Sequence, residues 1–254
     1  MILSYLMAFI VSIFAGFINT LAGSGSLIML PVFLGMGLSS TLANGTNRVA
    51  VVFQSLIGMT TFLRNTKLEA NNVGWSVLPC LLGSFGGAYL ATQIDPSYLE
   101  QFIGVLLIAM LVLILVNPKR WLVKANSNGV KSRSFFSMFV MFVIGIYAGF
   151  IQAGVGIFLL AGLVLGVGYN LKSANAVKLI IVAAYALPVL IIFAYHQQVD
   201  WFLGLFTSMG QGLGAYAGGL FATRYPKADV WVYRLLVLVV VVSIMYFYKP
   251  WAWL

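Results

Sequence analysis

Charged residues are scarce in this chain of 254 residues. They make up 7% of the sequence, and only five of them are acidic. A soluble globular domain carries about a quarter charged residues, and its apolar fraction is nearer half than the 62% found here. With a mean hydropathy of +1.03, the composition excludes a water-soluble globular domain and predicts an integral membrane protein.

Residues that build cross-links, metal sites and nucleotide sites are equally rare. One cysteine (Cys80) and one histidine (His196) exclude a disulfide framework or a zinc cluster within one chain. No Walker-type nucleotide loop is present, so ATP is not the direct energy source. We therefore predict no cofactor and no metal site. The first residues lack a positively charged n-region, so we expect a membrane segment that is retained rather than a cleaved signal.

The basic residues predict membrane topology rather than a nucleic-acid partner. The net charge is +9, but the cations lie at the ends of apolar runs or in one loop, with no face or groove for a polymer. Excess Lys and Arg in loops orient membrane proteins, with the basic loops in the cytoplasm.

Six apolar runs are long enough to cross a hydrocarbon core of about 30 Å. They cover about 42–63, 74–93, 98–116, 172–195, 200–223 and 230–248. Two further stretches, 2–38 and 135–168, are interrupted by polar and glycine-rich segments, the first break at Asn19–Ser26 and the second break at Gln152–Gly156. After each break only some 12 to 14 residues remain, about 20 Å of helix, which is short for a spanning segment.

The two halves of the chain repeat each other. Ala15-Gly16-Phe17-Ile18 recurs as Ala148-Gly149-Phe150-Ile151, and beyond the breaks a shift of 131 residues aligns Ala43-Asn44 with Ala174-Asn175. We predict one membrane domain made of a first repeat (1–116), a basic linker (117–134) and a second repeat (135–254).

Charge counting separates two topologies. If each broken stretch is one crossing, eight basic residues lie inside and four outside. If each is a hairpin that enters and returns, the ratio is eleven to one, which fits the positive-inside rule better. The sequence thus predicts an all-α polytopic membrane protein with two inverted repeats, each a broken-helix hairpin plus three transmembrane helices, and a cytoplasmic central loop. Whether the hairpin arms span fully stays open.

Two cations, Arg48 and Lys178, are not at any predicted membrane edge. They are nearly equivalent in the repeat and lie near the predicted midplane, where a charge costs at least about 2.5 kcal/mol unless it lines a cavity or has a counter-charge. Because all five acids lie in loops or at helix ends, we expect the partner to be a transient anion. The alternative is that one cation snorkels to an interface while the other bonds carbonyls freed at a break.

The breaks themselves favour anion binding. A helix that restarts beside glycines presents free N–H groups and the positive end of its dipole, although the glycines could instead serve close helix packing. We prefer packing for Gly83, Gly86, Gly87, Gly214, Gly218 and Gly219. The predicted substrate-binding set is Arg48, Lys178, Asn19, Thr20, Gly23, Ser24, Gly25, Ser26, Asn44, Asn47, Gln152, Gly154, Gly156 and Asn175.

These motifs resemble the sulfite exporter TauE/SafE family. The resemblance rests on the broken start Gly16-Phe17-Ile18-Asn19-Thr20, the Ala43-Asn44-Gly45-Thr46-Asn47 opening of the next helix, the basic loop and the weaker second copy. It covers essentially the whole chain and implies export of sulfite, sulfoacetate or a related organosulfonate across the bacterial plasma membrane. Two residues are missing from the second copy near Gln152, which weakens the assignment of a ligand role there.

Other functions fit the sequence less well. A membrane enzyme acting on a lipid would need an activated nucleophile at depth, and Ser24, Ser26 and Cys80 have no His or carboxylate close in sequence. A non-catalytic assembly subunit would not need midplane cations. We expect a small anion and the lipid bilayer as partners, and no nucleic acid; the sequence leaves a homodimer open. His196 could titrate during transport, but we favour an interfacial role for it.

Overall fold

The structure is a computed structural model that describes residues 2–65, 73–93 and 135–225, with nine further positions between 228 and 241. These residues form helices joined by short turns. The helices are α1 (Ile2–Ala22), α2 (Ser26–Gly35), α3 (Ser40–Asn65), α4 (Val73–Ala91), α5 (Phe135–Phe150), α6 (Val155–Ala161), α7 (Leu171–Tyr195) and α8 (Trp201–Arg224). A π-helical segment, Gly162–Val167, continues α6.

Four of the six predicted crossings are confirmed as helices: α3, α4, α7 and α8. The segment 98–116 and the basic loop lie outside the described residues, and 230–248 is described only in part, as helix. By length and composition, α1, α4 and α7 can each cross a membrane. Helices α3 and α8 are also long, at 26 and 24 residues.

Both predicted breaks are present. The chain leaves α1 through Gly23, whose φ of +76° suits glycine, and it enters α6 through Gly154 at φ +70°. The helix after the first break has ten residues, about 15 Å. Gly37 and Gly168, at φ +93° and +94°, follow the two short helical segments and adopt the left-handed conformation common just past a helix end.

Helices α1 and α8 run parallel. Ring contacts join their first turns through Tyr5 and Phe202, 6.0 Å between centroids, and their last turns through Phe17 and Phe221, 5.9 Å. The first helix of the first half therefore packs along the last described long helix of the second.

Helix α3 runs in the same direction as α8. Gly204 lies against Val49 near the start of both helices, and Gly219 lies against Thr61 near their ends. Since α1 and α3 are then parallel to each other, α2 must carry the chain back from the end of α1 to the start of α3. The first broken stretch enters and returns, as the hairpin interpretation predicts.

Helices α3 and α7 cross the centre of the molecule in opposite directions. Gly45 near the start of α3 lies beside Phe193 near the end of α7, and Gly58 lies beside Leu179. These two helices hold many of the buried side chains, so the core is built around their antiparallel pair.

Glycines allow the long helices to approach closely. A Cβ on Gly83 or Gly87 of α4 would overlap the backbone of α5, and one on Gly214 would overlap that of α1. Packing is confirmed in the same way for Gly218 and Gly219. It is wrong for Gly86 within the described part of the chain, where no heavy atom lies within 4 Å of a built Cβ.

The outer surface is apolar. Large side chains such as Phe14, Leu82, Phe139, Ile191 and Met209 are each more than half exposed. Water would disfavour so much exposed hydrocarbon, whereas a lipid environment accepts it.

The two ends of the helix bundle differ in charge. Arg64 and Arg224 lie at one end, where Arg224 donates to Asn65 Oδ1. Lys172, at the start of the antiparallel α7, lies at the same end. The acid Asp200 lies at the opposite end, where it caps α8 by accepting from Leu203 N at 2.9 Å.

Candidate functional site

Arg48 lies in the interior of α3 and is fully buried. Its Nη1 donates to Ala148 O at 2.7 Å and to Gln152 Oε1 at 3.0 Å, and its Nη2 donates to Gly149 O at 2.8 Å. The guanidinium carbon lies 4.9 Å from the centre of the Phe193 ring. A cation here satisfies carbonyls at the C-terminal end of α5 and complements the negative end of that helix's dipole.

Lys178 binds carbonyls at the end of α1, beside the other break. It is 1% exposed, and its Nζ donates to Asn19 O at 3.1 Å and to Thr20 O at 2.9 Å, both in the last turn of α1. Neither cation reaches an interface. Each is bound to carbonyls near a break in the opposite half, so carbonyl bonding, which our alternative assigned to one cation, occurs at both.

The two cations belong to separate clusters. In the antiparallel register of α3 and α7, Arg48 and Lys178 are displaced along the helix axes by about a dozen residues, or about 18 Å. The sequence predicts one binding site for both cations. In the structure Arg48 binds at the end of α5 and Lys178 at the end of α1.

The two breaks touch each other between these clusters. Gly156 N donates to Gly23 O at 2.9 Å, and a Cβ on either glycine would overlap the Cα of the other. The N–H group just before α2 also has a protein acceptor, because Gly25 N donates to Asn19 Oδ1 at 3.1 Å. At these positions the glycines bring protein backbone together, and protein acceptors take the two N–H groups.

Several predicted polar residues support the breaks. Asn44 Nδ2 donates to Phe150 O at 3.0 Å, and Asn47 Nδ2 donates to Ser26 Oγ at 2.8 Å. Asn175 is buried one turn before Lys178. The side chains of Asn44 and Asn47 thus connect α3 to the end of α5 and to the start of α2.

Unpartnered polar atoms are concentrated around the same region. Buried polar groups in proteins are usually hydrogen-bonded, and those that are not call for an explanation. Within the described part of the chain, six predicted site residues have a buried side-chain atom without a partner: Thr20 Oγ1, Ser24 Oγ, Asn44 Oδ1, Asn47 Oδ1, Arg48 Nε and Asn175 Oδ1.

The sequence of the chain matches a known family. The model of the family described as "Sulfite exporter TauE/SafE" matches residues 8–247. The chain belongs to this family. No solved structure matches the chain significantly.

Relatives in this family carry transporter names. "Probable membrane transporter protein YfcA" of Escherichia coli (strain K12) is 27% identical over 213 residues, which are 83% of this chain and 77% of the relative. A "Probable membrane transporter protein" of Haemophilus influenzae is 28% identical over 83% of this chain and 82% of its own. One from Xylella fastidiosa (strain 9a5c) is 24% identical over 92% and 91%. The family is a transporter family.

Several side chains near the breaks were not among the predicted site residues. Tyr185 bonds Gln152, and Tyr147 donates to Ala153 O at 2.6 Å. Gln54 and Gln211 are buried, each with an unpartnered amide atom. The two glutamines could have been predicted as site residues from the sequence, because burying an unpaired side-chain amide within an apolar crossing costs free energy, as burying a charge does. His196 lies at the end of α7, with Nδ1 2.9 Å from Ile192 O.

Proposed function

We propose that the protein is a secondary transporter that exports a small anion, such as sulfite, sulfoacetate or a related organosulfonate, across the bacterial plasma membrane by alternating access. Membership of a family described as sulfite exporters supports the class of substrate. The transporter names of the relatives support the class of protein.

The observation that carries the proposal is the presence of two buried cations whose hydrogen bonds all go to neutral acceptors. Arg48 and Lys178 are 0% and 1% exposed, and each bonds carbonyls or an amide oxygen. The one acid in the described part of the chain, Asp200, caps a helix. A buried charge without a counter-charge is expensive, and a transported anion supplies that counter-charge for part of the cycle.

The proposed mechanism uses two inverted repeats. Its support is the pairing of α3 with α7, which are equivalent under the 131-residue shift and run antiparallel. Each half's first helix also packs along the last long helix that the structure describes in the other half, α1 on α8 and α5 on α4. Rocking of one interlocked half against the other would expose the breaks to alternate sides, as in other inverted-repeat transporters.

The proposed orientation places the cationic end of the bundle and the central loop in the cytoplasm. A negative interior then drives each exported negative charge outward by about 2.3 kcal/mol per 100 mV. Uniport of an anion needs no further energy source, and no coupling ion is part of the proposal.

Reconstitution into liposomes tests this function. Purified protein in vesicles loaded with sulfite or sulfoacetate should release the anion faster than protein-free vesicles. Release should accelerate when the loaded interior is made electrically negative. A rate equal to that of protein-free vesicles for both anions, under either potential, would refute the proposal.

A further inference from the structure

The two breaks differ in how their own polar side chains are satisfied. In the second break, the side chain of Gln152 accepts from Arg48 Nη1 at 3.0 Å and bonds Tyr185 OH at 3.2 Å. In and beside the first break, Thr20 Oγ1 and Ser24 Oγ are buried and have no partner. Arg48 Nε and Asn44 Oδ1, which lie beside the second break, also lack a partner, but among the side chains of the breaks themselves the unused hydrogen-bonding capacity is in the first break.

Two glutamines from neighbouring helices add to this unused capacity. Gln54 of α3 and Gln211 of α8 are 3% and 1% exposed, and Gln54 Oε1 and Gln211 Nε2 have no partner. Leaving such groups unpaired costs about 1–3 kcal/mol each in a folded protein. Apolar side chains at these two positions would leave no polar atom unpaired. The presence of two glutamines instead indicates that they bind a ligand.

Both glutamines lie about one helical turn from the level of Thr20 along the bundle. A Cβ on Gly58 would lie 3.3 Å from Thr20 Oγ1, and Gln54 is one turn before Gly58 on the same face of α3. The backbone of Gln211 packs against Gly16, which is one turn before Thr20 on α1. Helices α1, α3 and α8 therefore each carry one of these buried polar side chains at nearly the same level of the bundle.

The repeat shows why the amide of Gln54 stays unpaired. A shift of 131 residues places Gln54 opposite Tyr185. In the second half, Tyr185 completes a cluster by bonding Gln152, which in turn bonds Arg48. In the first half, the corresponding position carries an amide whose oxygen is unpaired.

We propose that the anion binds at the first break, between Lys178, Thr20, Gln54 and Gln211. This inference rests on the transport function proposed above and adds Gln54 and Gln211 as binding residues. An ammonium has three N–H donors, and Lys178 uses two of them on Asn19 O and Thr20 O. The third, the Thr20 hydroxyl and Gln211 Nε2 supply donors to a small oxyanion. Gln54 adds a donor when its side-chain amide rotates by 180°, which places the NH₂ group where the unpaired Oε1 now lies. Arg48 is the positioning residue of the second break.

Binding of sulfite to the purified protein, measured by calorimetric titration, tests the inference. Gln54→Met and Gln211→Met keep the size of the side chain and remove its polar end. Each should weaken sulfite binding by about tenfold or more. The matched controls are Ser55→Ala and Thr207→Val, whose hydroxyls bond carbonyls of their own helices. Binding to the control variants should change less than about twofold.

The outcomes separate the inference from the function on which it rests. Sulfite binding and release by the wild type, with unchanged affinity in both Met variants, would overturn the inference and leave the transport function standing. Absence of both binding and release in the wild type would overturn the function. If a Met variant fails to fold, Gln54→Glu keeps the shape and adds a negative charge. Lost binding in that variant supports the site, and unchanged binding overturns it.

Discussion

Gly23 and Gly156 meet backbone to backbone at the centre of the molecule, where Gly156 N donates to Gly23 O at 2.9 Å. Each belongs to a different half of the chain, and each lies at the break in its broken helix. Any larger residue at either position would overlap the other. This contact holds the two breaks in register, and the cations Arg48 and Lys178 bind on either side of it.

Gly156→Ala should destabilise the protein. The added methyl would overlap Gly23 Cα, and such overpacking costs about 1–3 kcal/mol. The unfolding temperature in detergent should fall. Gly86→Ala is the control, because a methyl there meets no atom of the described residues within 4 Å, and Ala within a helix is about 0.5–1 kcal/mol better than Gly. An unfolding temperature of Gly156→Ala at or above the wild-type value would contradict the contact.

Arg48→Lys should also lower the unfolding temperature, although the charge is kept. A lysine ammonium is a compact point charge and cannot reproduce the fork that joins Ala148 O, Gly149 O and Gln152 Oε1. At least one buried acceptor would lose its partner, at a cost of about 1–3 kcal/mol. The exposed Arg64→Lys should stay within about 0.5 kcal/mol of the wild type. Equal stability of the two variants would show that the fork is dispensable.

Asn47 and Ser26 should be energetically coupled. Their buried hydrogen bond, 2.8 Å from Asn47 Nδ2 to Ser26 Oγ, fastens α3 to the start of α2. A double-mutant cycle with Asn47→Ala and Ser26→Ala should give a coupling of about 0.5–1.5 kcal/mol in unfolding free energy. Strict additivity of the two changes would show that α2 is not held by this bond.

Opposite ends of the bundle should be accessible from opposite sides of the membrane. Cys80 is the single cysteine of the chain and is buried, so Cys80→Ala provides a background without reactive thiols. Arg64→Cys should react with an impermeant thiol reagent only from the cytoplasmic side, and Tyr195→Cys only from the outside. Labelling of both positions from the same side would refute the proposed orientation.

The sequence predicted much of the fold because membrane crossing is governed by simple rules. Length and apolar composition located α3, α4, α7 and α8 to within a few residues, and glycines with polar neighbours located both breaks. Charge counting favoured a hairpin for the first broken stretch, and the parallel course of α1 and α3 agrees with it.

What the sequence could not provide was contact across the halves. Nothing in the neighbourhood of Lys178 in the sequence indicates that its ammonium binds the end of α1, 158 residues away. The helix restarts were predicted to present free N–H groups, but the partners of Gly25 N and Gly156 N, Asn19 Oδ1 and Gly23 O, emerge only from the packing. Gln54 and Gln211 were not predicted because, unlike Arg48 and Lys178, they carry no charge. Burying a side-chain amide is costly as well as burying a charge.

The most direct test of the proposed function is sulfite efflux from liposomes that contain the double variant Arg48→Ala, Lys178→Ala. The proposal predicts that efflux falls nearly to the rate of protein-free vesicles, because the anion loses Lys178, which binds it at the first break, and the second break loses Arg48, which positions it. Efflux at the wild-type rate from a double variant that elutes as a folded protein would contradict the claim that these cations serve anion transport.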